Sequence, residues 1–275
     1  VTEPVSRWKM YNQQPYHFGM LGFALDIPLS IEYLDAYENT VIWNGDVSEE
    51  NVLVVAAVFS PDLYQGYAYP PSSNPFNAYY VDAAAGAIPG QTAYNFENET
   101  VTHTVVVEEG TATWCPYCPA MAEALYTVYQ SGIYPFYFVA LIDDKNPDSA
   151  DRLRNDYNIY GFPTAFFDGG YKVLVGGDAN PAHYATPIRT SGLRAASDLN
   201  LSLSVTYIGD GDLQIHVNVT NYQAVHAPLK PAAPTGVSEG SIGIQYAFTA
   251  TTTDEDGGDL FNFFVFLEIS SLASA

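Results

Sequence analysis

The chain has 275 residues, 48% of them apolar, a globular composition with room for two or three domains and sizeable cores. Acidic residues outnumber basic ones 31 to 9, for a formal net charge of −22. Such a charge disfavours nucleic acid and anionic lipid, both polyanions, and favours solubility, cation binding and a saline or calcium-containing medium. No stretch approaches the ~20 apolar residues of a membrane-spanning helix; the best run, Leu260 to Leu267, is short and contains Asn262. The start, Val1-Thr2-Glu3-Pro4, has no initiating Met and no basic-plus-apolar leader, and reads as that of a processed mature protein or a fragment. Both cysteines lie in one CxxC, so there is no framework of structural disulfides. Asn98, Asn200 and Asn218 head Asn-x-Ser/Thr sequons and are glycosylation candidates. With 22 tyrosines and few cations, these features point to an extracellular or cell-surface location.

Residues 1–99 read as a β-rich, sandwich-like domain. Strands are expected over Leu21–Ile27, Thr40–Trp43 and the fully apolar run Val52–Phe59, which needs cover on both faces. Pro61, Pro70, Pro71 and Pro75 mark the stretch up to Tyr79 as loop. Its tyrosines, Tyr64, Tyr67 and Tyr69, suit either a lid packed on a β-core or a sugar or protein contact.

From Thr100 the pattern becomes βαβα. His103–Glu109 is an apolar strand with a polar end. Pro119–Gln130 is a helix with Met121, Leu125, Val128 and Tyr129 on one face. Phe136–Ile142 is a second buried strand. Asn146-Pro147 opens a helix to about Tyr157, with Leu153 inward. Thr164–Phe167 and Tyr171–Val175 flank Asp168-Gly169-Gly170 as a hairpin, and a last helix covers roughly Pro181–Ala195. Strands separated by helices imply parallel pairing first, with antiparallel strands added by the hairpin.

Leu199–Thr206 and Leu213–Thr220 alternate apolar and polar residues around Gly209-Asp210-Gly211, a β-hairpin over residues 196–226 that must pack on other strands. Ala227–Gly236 is a Pro-rich linker, and further strands are expected between residues 241 and 269. Asp254, Asp256 and Asp259 in a Gly-containing acidic turn are weak candidate calcium ligands: their spacing does not match an EF-hand loop, and an ordinary solvated turn is the favoured account of them.

The chemistry centres on Trp114-Cys115-Pro116-Tyr117-Cys118, between a buried strand and an apolar-periodic helix. A cysteine at a helix N-terminus faces unpaired N–H groups and the positive dipole end, which lower its pKa from about 8.5 towards 7 or below. Cys115 is therefore the expected nucleophile and Cys118 the more buried resolving thiol. Zinc would need two further ligands; no other cysteine exists, and His17, His103, His183, His216 and His226 are scattered. No metal or other cofactor is expected at the pair.

With Gly161-Phe162-Pro163-Thr164 falling after the second helix, residues 100–195 resemble the thioredoxin superfamily, and Cys-Pro-Tyr-Cys looks like the glutaredoxin version of its motif. The resemblance implies an α/β thioredoxin fold with a central mixed sheet. It implies a cis Pro163 packed against the cysteine pair, with Phe162 and Thr164 holding an incoming peptide. It implies that Trp114, with Pro116 and Tyr117, borders the reactive sulfur. Glu109, six residues before Cys115, matches the buried acid that manages the second cysteine's proton; the family usually has Asp there, and Glu108 is adjacent.

The whole resembles multidomain bacterial and archaeal surface proteins, in which thioredoxin-like domains alternate with immunoglobulin-like β-sandwiches. The likeness rests on Pro231-x-x-Pro234-Thr235-Gly236, Gly240, Gly243 and Asp254-Glu255-Asp256-Gly257-Gly258-Asp259. In residues 1–90 it rests on Val5-Ser6-Arg7-Trp8, Val54-Val55-Ala56-Ala57-Val58-Phe59 and Tyr79-Tyr80-Val81-Asp82-Ala83. Residues 227–275 form a partial immunoglobulin-like segment, and the hairpin completes a sandwich with strands of its own chain or of a neighbour. Two functions follow. One is a self-associating subunit of a surface assembly or filament, polymerising by β-strand complementation and carrying a redox-capable pair. The other is a dedicated extracytoplasmic thiol–disulfide oxidoreductase acting on protein thiols and disulfides.

Overall fold

A computed structural model describes residues 5–96 and 101–223 and the backbone of 263–271. The chain opens with β1 (Val5–Lys9), β2 (Pro15–His17), β3 (Met20–Phe23), β4 (Pro28–Leu29), β5 (Ala36–Asn44) and β6 (Val52–Phe59). Then follow β7 (Tyr64–Tyr69), β8 (Ser73–Ala78), β9 (Val81–Ala87) and β10 (Gln91–Tyr94). The central region holds β11 (Val105–Thr111), α1 (Cys118–Ser131), β12 (Phe136–Ile142), α2 (Pro147–Asp151), β13 (Thr164–Phe167), β14 (Lys172–Val175) and α3 (Pro181–Ser191). The remainder is β15 (Leu199–Gly209), β16 (Asp212–Asn221) and β17 (Phe263–Ser271). The architecture is thus mostly β, in several sheets with few helices.

All eight residues of β6 are buried because both its faces are covered. Val52, Val54, Ala56 and Val58 join a core with Leu199, Leu201, Leu203 and Val205 of β15 and Leu213, Ile215, Val217 and Val219 of β16. On the other face, Leu53 and Val55 pack with Val105, Val107 and Phe138, while Ala57 and Phe59 pack with Val106. One sheet has the order β10-β15-β16-β5; facing it is a sheet ordered β3-β17-β6-β9, with β4 also paired to β17. Alternation along β15 and β16 sends the apolar residues into that shared core and Asn200, Ser202, Gln214 and His216 outward. The hairpin's partners are β5 and β10 of the same chain, one of the two arrangements the sequence left open. β17 pairs with β3 and β6 of the same chain.

A third sheet has the order β12-β11-β13-β14, with β11 parallel to β12 and the remaining pairs antiparallel. One face is covered by α1 and α3 through Met121, Leu125, Tyr184 and Ile188. Behind the other lie Leu153 and Tyr157, with Phe76 and Ala78 from β8. At the β12 edge, the Ala140 amide donates to the Phe18 carbonyl at 2.8 Å, so the N-terminal segment runs alongside this sheet.

Several expectations are corrected. The proline-marked stretch before Tyr79 is not loop but the hairpin β7–β8, buried through Gly66, Ala68, Phe76 and Ala78. Pro61 precedes β7, Pro70 and Pro71 form the cis turn, and Pro75 lies on a strand of a two-stranded ribbon, where no central ladder is broken. Of the strand expected over Leu21–Ile27 only the part to Phe23 forms, as β3; residues 24–27 are not strand, and β4 begins after them at Pro28. The second helix gives way after Asp151 to a wider turn over Arg152–Asp156, in which the Tyr157 amide reaches the Arg152 carbonyl. The last helix stops at Ser191, because Thr102 takes the Gly192 and Arg194 carbonyls as hydrogen-bond acceptors. Asn98, the acidic turn with Asp254, Asp256 and Asp259, and the Pro-rich linker lie outside the described residues.

Candidate redox site

β11 ends at Thr111, and a short loop carries Trp114, Cys115, Pro116 and Tyr117 to the first residue of α1, Cys118. Asp144 anchors that loop by accepting from both the Thr113 amide and the Thr113 hydroxyl. Burial opposes its charge, but the two Thr113 bonds and Lys145 outweigh it and hold the Asp144 carboxyl below its usual range. On the other side, Gly177 lies so close that a Cβ there would fall 2.2 Å from the Tyr117 carbonyl oxygen.

Cys115 and Cys118 are joined in a disulfide with their Cα atoms 5.5 Å apart. Tyr117 is the residue before the helix, so Cys115 sits just outside its first turn. Cys115 is 2% exposed and Cys118 0%; the rim is open instead, with Trp114 58% and Tyr117 71% exposed and Pro116 exposed as well. Ala112 and half-buried Phe162 pack on the two sulfur-bearing residues. Trp114 meets Phe162 edge to face at 5.7 Å between ring centroids. The Phe162–Pro163 bond is cis. Pro163 and Thr164 are buried: the Pro163 carbonyl accepts from the Gly176 amide at 2.8 Å, and the Thr164 hydroxyl donates to the Gly161 carbonyl at 2.7 Å.

Glu109 is fully buried on the β11 face that α1 and α3 cover, two residues along from Val107. Its cross-strand neighbours are Ala140 and Ala165, and neither carboxyl oxygen has a hydrogen-bond partner among the described residues. Desolvation pushes its pKa up to about 8. Tyr16 and Tyr184 stand near enough for the Glu109 charge to add to their own raised pKa values, in both cases mainly an effect of burial. Tyr16, whose hydroxyl is 3.1 Å from that of Thr111, comes from the N-terminal segment and carries no local sequence signal for this role. Gly177 and Asp144 were likewise not among the sequence candidates.

Glu108 points the opposite way. Its carboxylate pairs with Arg152 at 2.8 and 3.1 Å and also accepts from Tyr157. A cleft of about 470 Å³, lined in part by Arg152, Asp26, Phe76 and Asn158, opens on that side and does not reach the disulfide. Asn200 and Asn218 lie on adjacent strands of the hairpin; Asn200 is exposed, and Asn218 is half-buried and accepts from the hydroxyl of its own sequon residue, Thr220. Among the described residues no group of three or more His, Cys, Asp or Glu is placed to hold a metal ion, and no helix is long and apolar enough to cross a membrane.

No protein-family model matches the chain, and no curated protein matches it. Among solved structures, a crystal structure of thioredoxin from Malassezia sympodialis, described as a member of a pan-allergen family, is similar to it. The two are 23% identical, the match covers 32% of this chain and 76% of that one, and the TM-score is 0.26.

Proposed function

We propose that Cys115 and Cys118 form a thiol–disulfide exchange site of thioredoxin type, working on the thiols and disulfides of other proteins. The observation that carries this reading is the disulfide closed at the start of α1, above a sheet face that holds a buried carboxyl without a hydrogen-bond partner among the described residues. Cys115, next to the exposed rim, is the sulfur an incoming thiolate reaches. Attack there breaks the Cys115–Cys118 bond, forms a mixed disulfide and releases the Cys118 thiolate, which takes a proton from Glu109. The partner's second thiolate then attacks its own mixed-disulfide sulfur and releases Cys115. The partner dithiol is oxidised by two electrons and the pair is reduced by two; the reverse sequence oxidises the pair. A carboxyl with a pKa of about 8 holds its proton near neutrality and can give it up to a thiolate, which is what this role requires. Trp114, Tyr117, Phe162 and Thr164 are the proposed peptide-binding border.

The test is turnover of a small disulfide-bonded protein in the presence of dithiothreitol. The native chain should accelerate its reduction, and Cys115→Ser should fall to the background rate. A native chain no faster than dithiothreitol alone removes the proposal.

A second reading is favoured by β17, which fills the middle of a sheet built otherwise from the first 90 residues. In this reading the chain is a subunit of an extracellular surface assembly with immunoglobulin-like sandwich segments, and the redox pair is carried along or used for cross-linking. The disulfide and the sequons support an oxidising, extracytoplasmic setting. Particle size of native material tests it: discrete monomers at all concentrations would count against an assembly.

A further inference from the structure

We propose that residues 263–271 are an exchangeable strand, and that the slot they occupy between β3 and β6 accepts the same strand from a second copy of this chain. The inference rests on the assembly reading and is independent of the disulfide.

β17 is inside its sheet, with β6 on one side and β3 and β4 on the other. Its ladder with β6 runs without a break from Val265↔Val58 to Ser271↔Val52. The opposite side is held by short pairings, Glu268↔Phe23 and Ser270↔Met20 with β3, and Phe263↔Leu29 and Phe264↔Pro28 with β4. Among the described residues no ladder runs directly between β3 or β4 and β6, and β17 joins them.

Taking β17 away leaves a gap one strand wide. Along it, the β6 amides and carbonyls on that side lose their partners, beside a core that includes Val54, Ala56 and Val58. Buried backbone groups without partners and a long apolar edge are both costly, so the gap must be filled. The strand that fills it reads Phe-Phe-Val-Phe-Leu-Glu-Ile-Ser-Ser, free of Pro and Gly, a composition suited to an interior strand and hazardous if left unpaired. A second copy's 263–271 restores the same ladder with the same residues. β17 takes no part in the ladders among β1–β16, so the exchange leaves those unaltered.

Strand and slot are different surfaces of one chain. Exchange therefore joins copies head to tail, and propagates into a filament unless the rotation closes a ring. The chain's own strand competes at an effective concentration on the order of millimolar. Dilute chains accordingly cap themselves, and exchange takes over where chains fold or reopen at high local concentration.

Cross-linking at a register pair tests this, in a Cys115→Ser, Cys118→Ser background. Chains carrying Ala56→Cys and chains carrying Leu267→Cys are mixed, refolded together and oxidised. An interchain disulfide should form, rising by roughly two to three orders of magnitude between micromolar and millimolar refolding concentrations. Replacing the first partner with a His216→Cys chain, whose cysteine is on the other sheet, should give none. The register pair Val58→Cys with Val265→Cys repeats the test should the first pair fold poorly. The double variant Ala56→Cys, Leu267→Cys, oxidised while dilute, should be locked as a monomer until reduced. If that locked form builds the same particles as the native chain, the assembly reading stands and strand exchange is overturned. If the mixed chains cross-link while the native chain never forms particles, exchange stands and the assembly reading falls. Mixed chains that never cross-link at either pair overturn the exchange.

Discussion

Glu108 and Glu109 are consecutive in sequence and opposite in circumstance: Glu108 is tied to Arg152 and Tyr157 on one face of β11, and Glu109 is buried on the other without a hydrogen-bond partner among the described residues. Strand alternation alone separates them. It turns a pair of like residues into one structural anion and one candidate proton carrier.

Glu109 should therefore make stability fall as pH rises. Its folded pKa, about 8, lies above the ordinary value of 4.5. Between those values the unfolded chain loses this proton while the folded chain keeps it, so rising pH favours unfolding until the folded group also ionises. Glu109→Gln should remove that decline and leave the variant more stable than the native chain at pH 8, by on the order of a few kcal/mol. Urea titrations from pH 5 to 9 check this; parallel pH profiles for the two proteins would refute it. In exchange assays the same variant should slow release of Cys118 most where Glu109 is still protonated.

Cys115 should react first. In the reduced protein at neutral pH, a limiting alkylating agent should modify Cys115 ahead of Cys118, as read by peptide mass spectrometry. The reason is its place outside the first turn of α1 beside the exposed rim. Cys118→Ser should trap a mixed disulfide on Cys115. Preferential labelling of Cys118 would reverse the assignment.

Arg152 should matter for stability out of proportion to a surface cation. Its side chain is 9% exposed and that of Glu108 2%. Arg152→Met would leave a buried carboxylate uncompensated, at a cost of about 3–5 kcal/mol. Adding Glu108→Gln should recover much of that loss, so the two changes should be strongly non-additive in denaturant melts. Simple additivity would show that the pair is not coupled.

Gly177→Ala should disturb the loop that presents the disulfide. The added methyl would fall on the Tyr117 carbonyl, and the backbone there must give way. A loss of about 1–3 kcal/mol is expected, together with slower exchange. An unchanged exchange rate would show that the Tyr117 turn does not depend on this contact.

Local patterns determined much of the chain. The eight-residue apolar run of β6, the alternation in β15 and β16 and the Asn146-Pro147 helix start each encode their geometry within a few residues, through periodicity or capping, whereas the cis Phe162–Pro163 bond was an expectation from the family resemblance alone. The CxxC pair at a helix start was legible for the same reason. Tertiary structure decided what local pattern does not carry. Small residues alone gave no strand signal for Ala68 and Ala78; the hairpin β7–β8 exists because they pack behind β13 with Phe76 and Phe166. Tyr16 reaches Thr111 across 95 positions of sequence, and Arg152 reaches Glu108 across 44, so neither partnership leaves a local trace. The placement of β17 between β3 and β6 is the extreme case: an apolar strand needs two neighbours, and backbone hydrogen bonding does not specify from sequence which strands they are, because every ladder offers the same donors and acceptors.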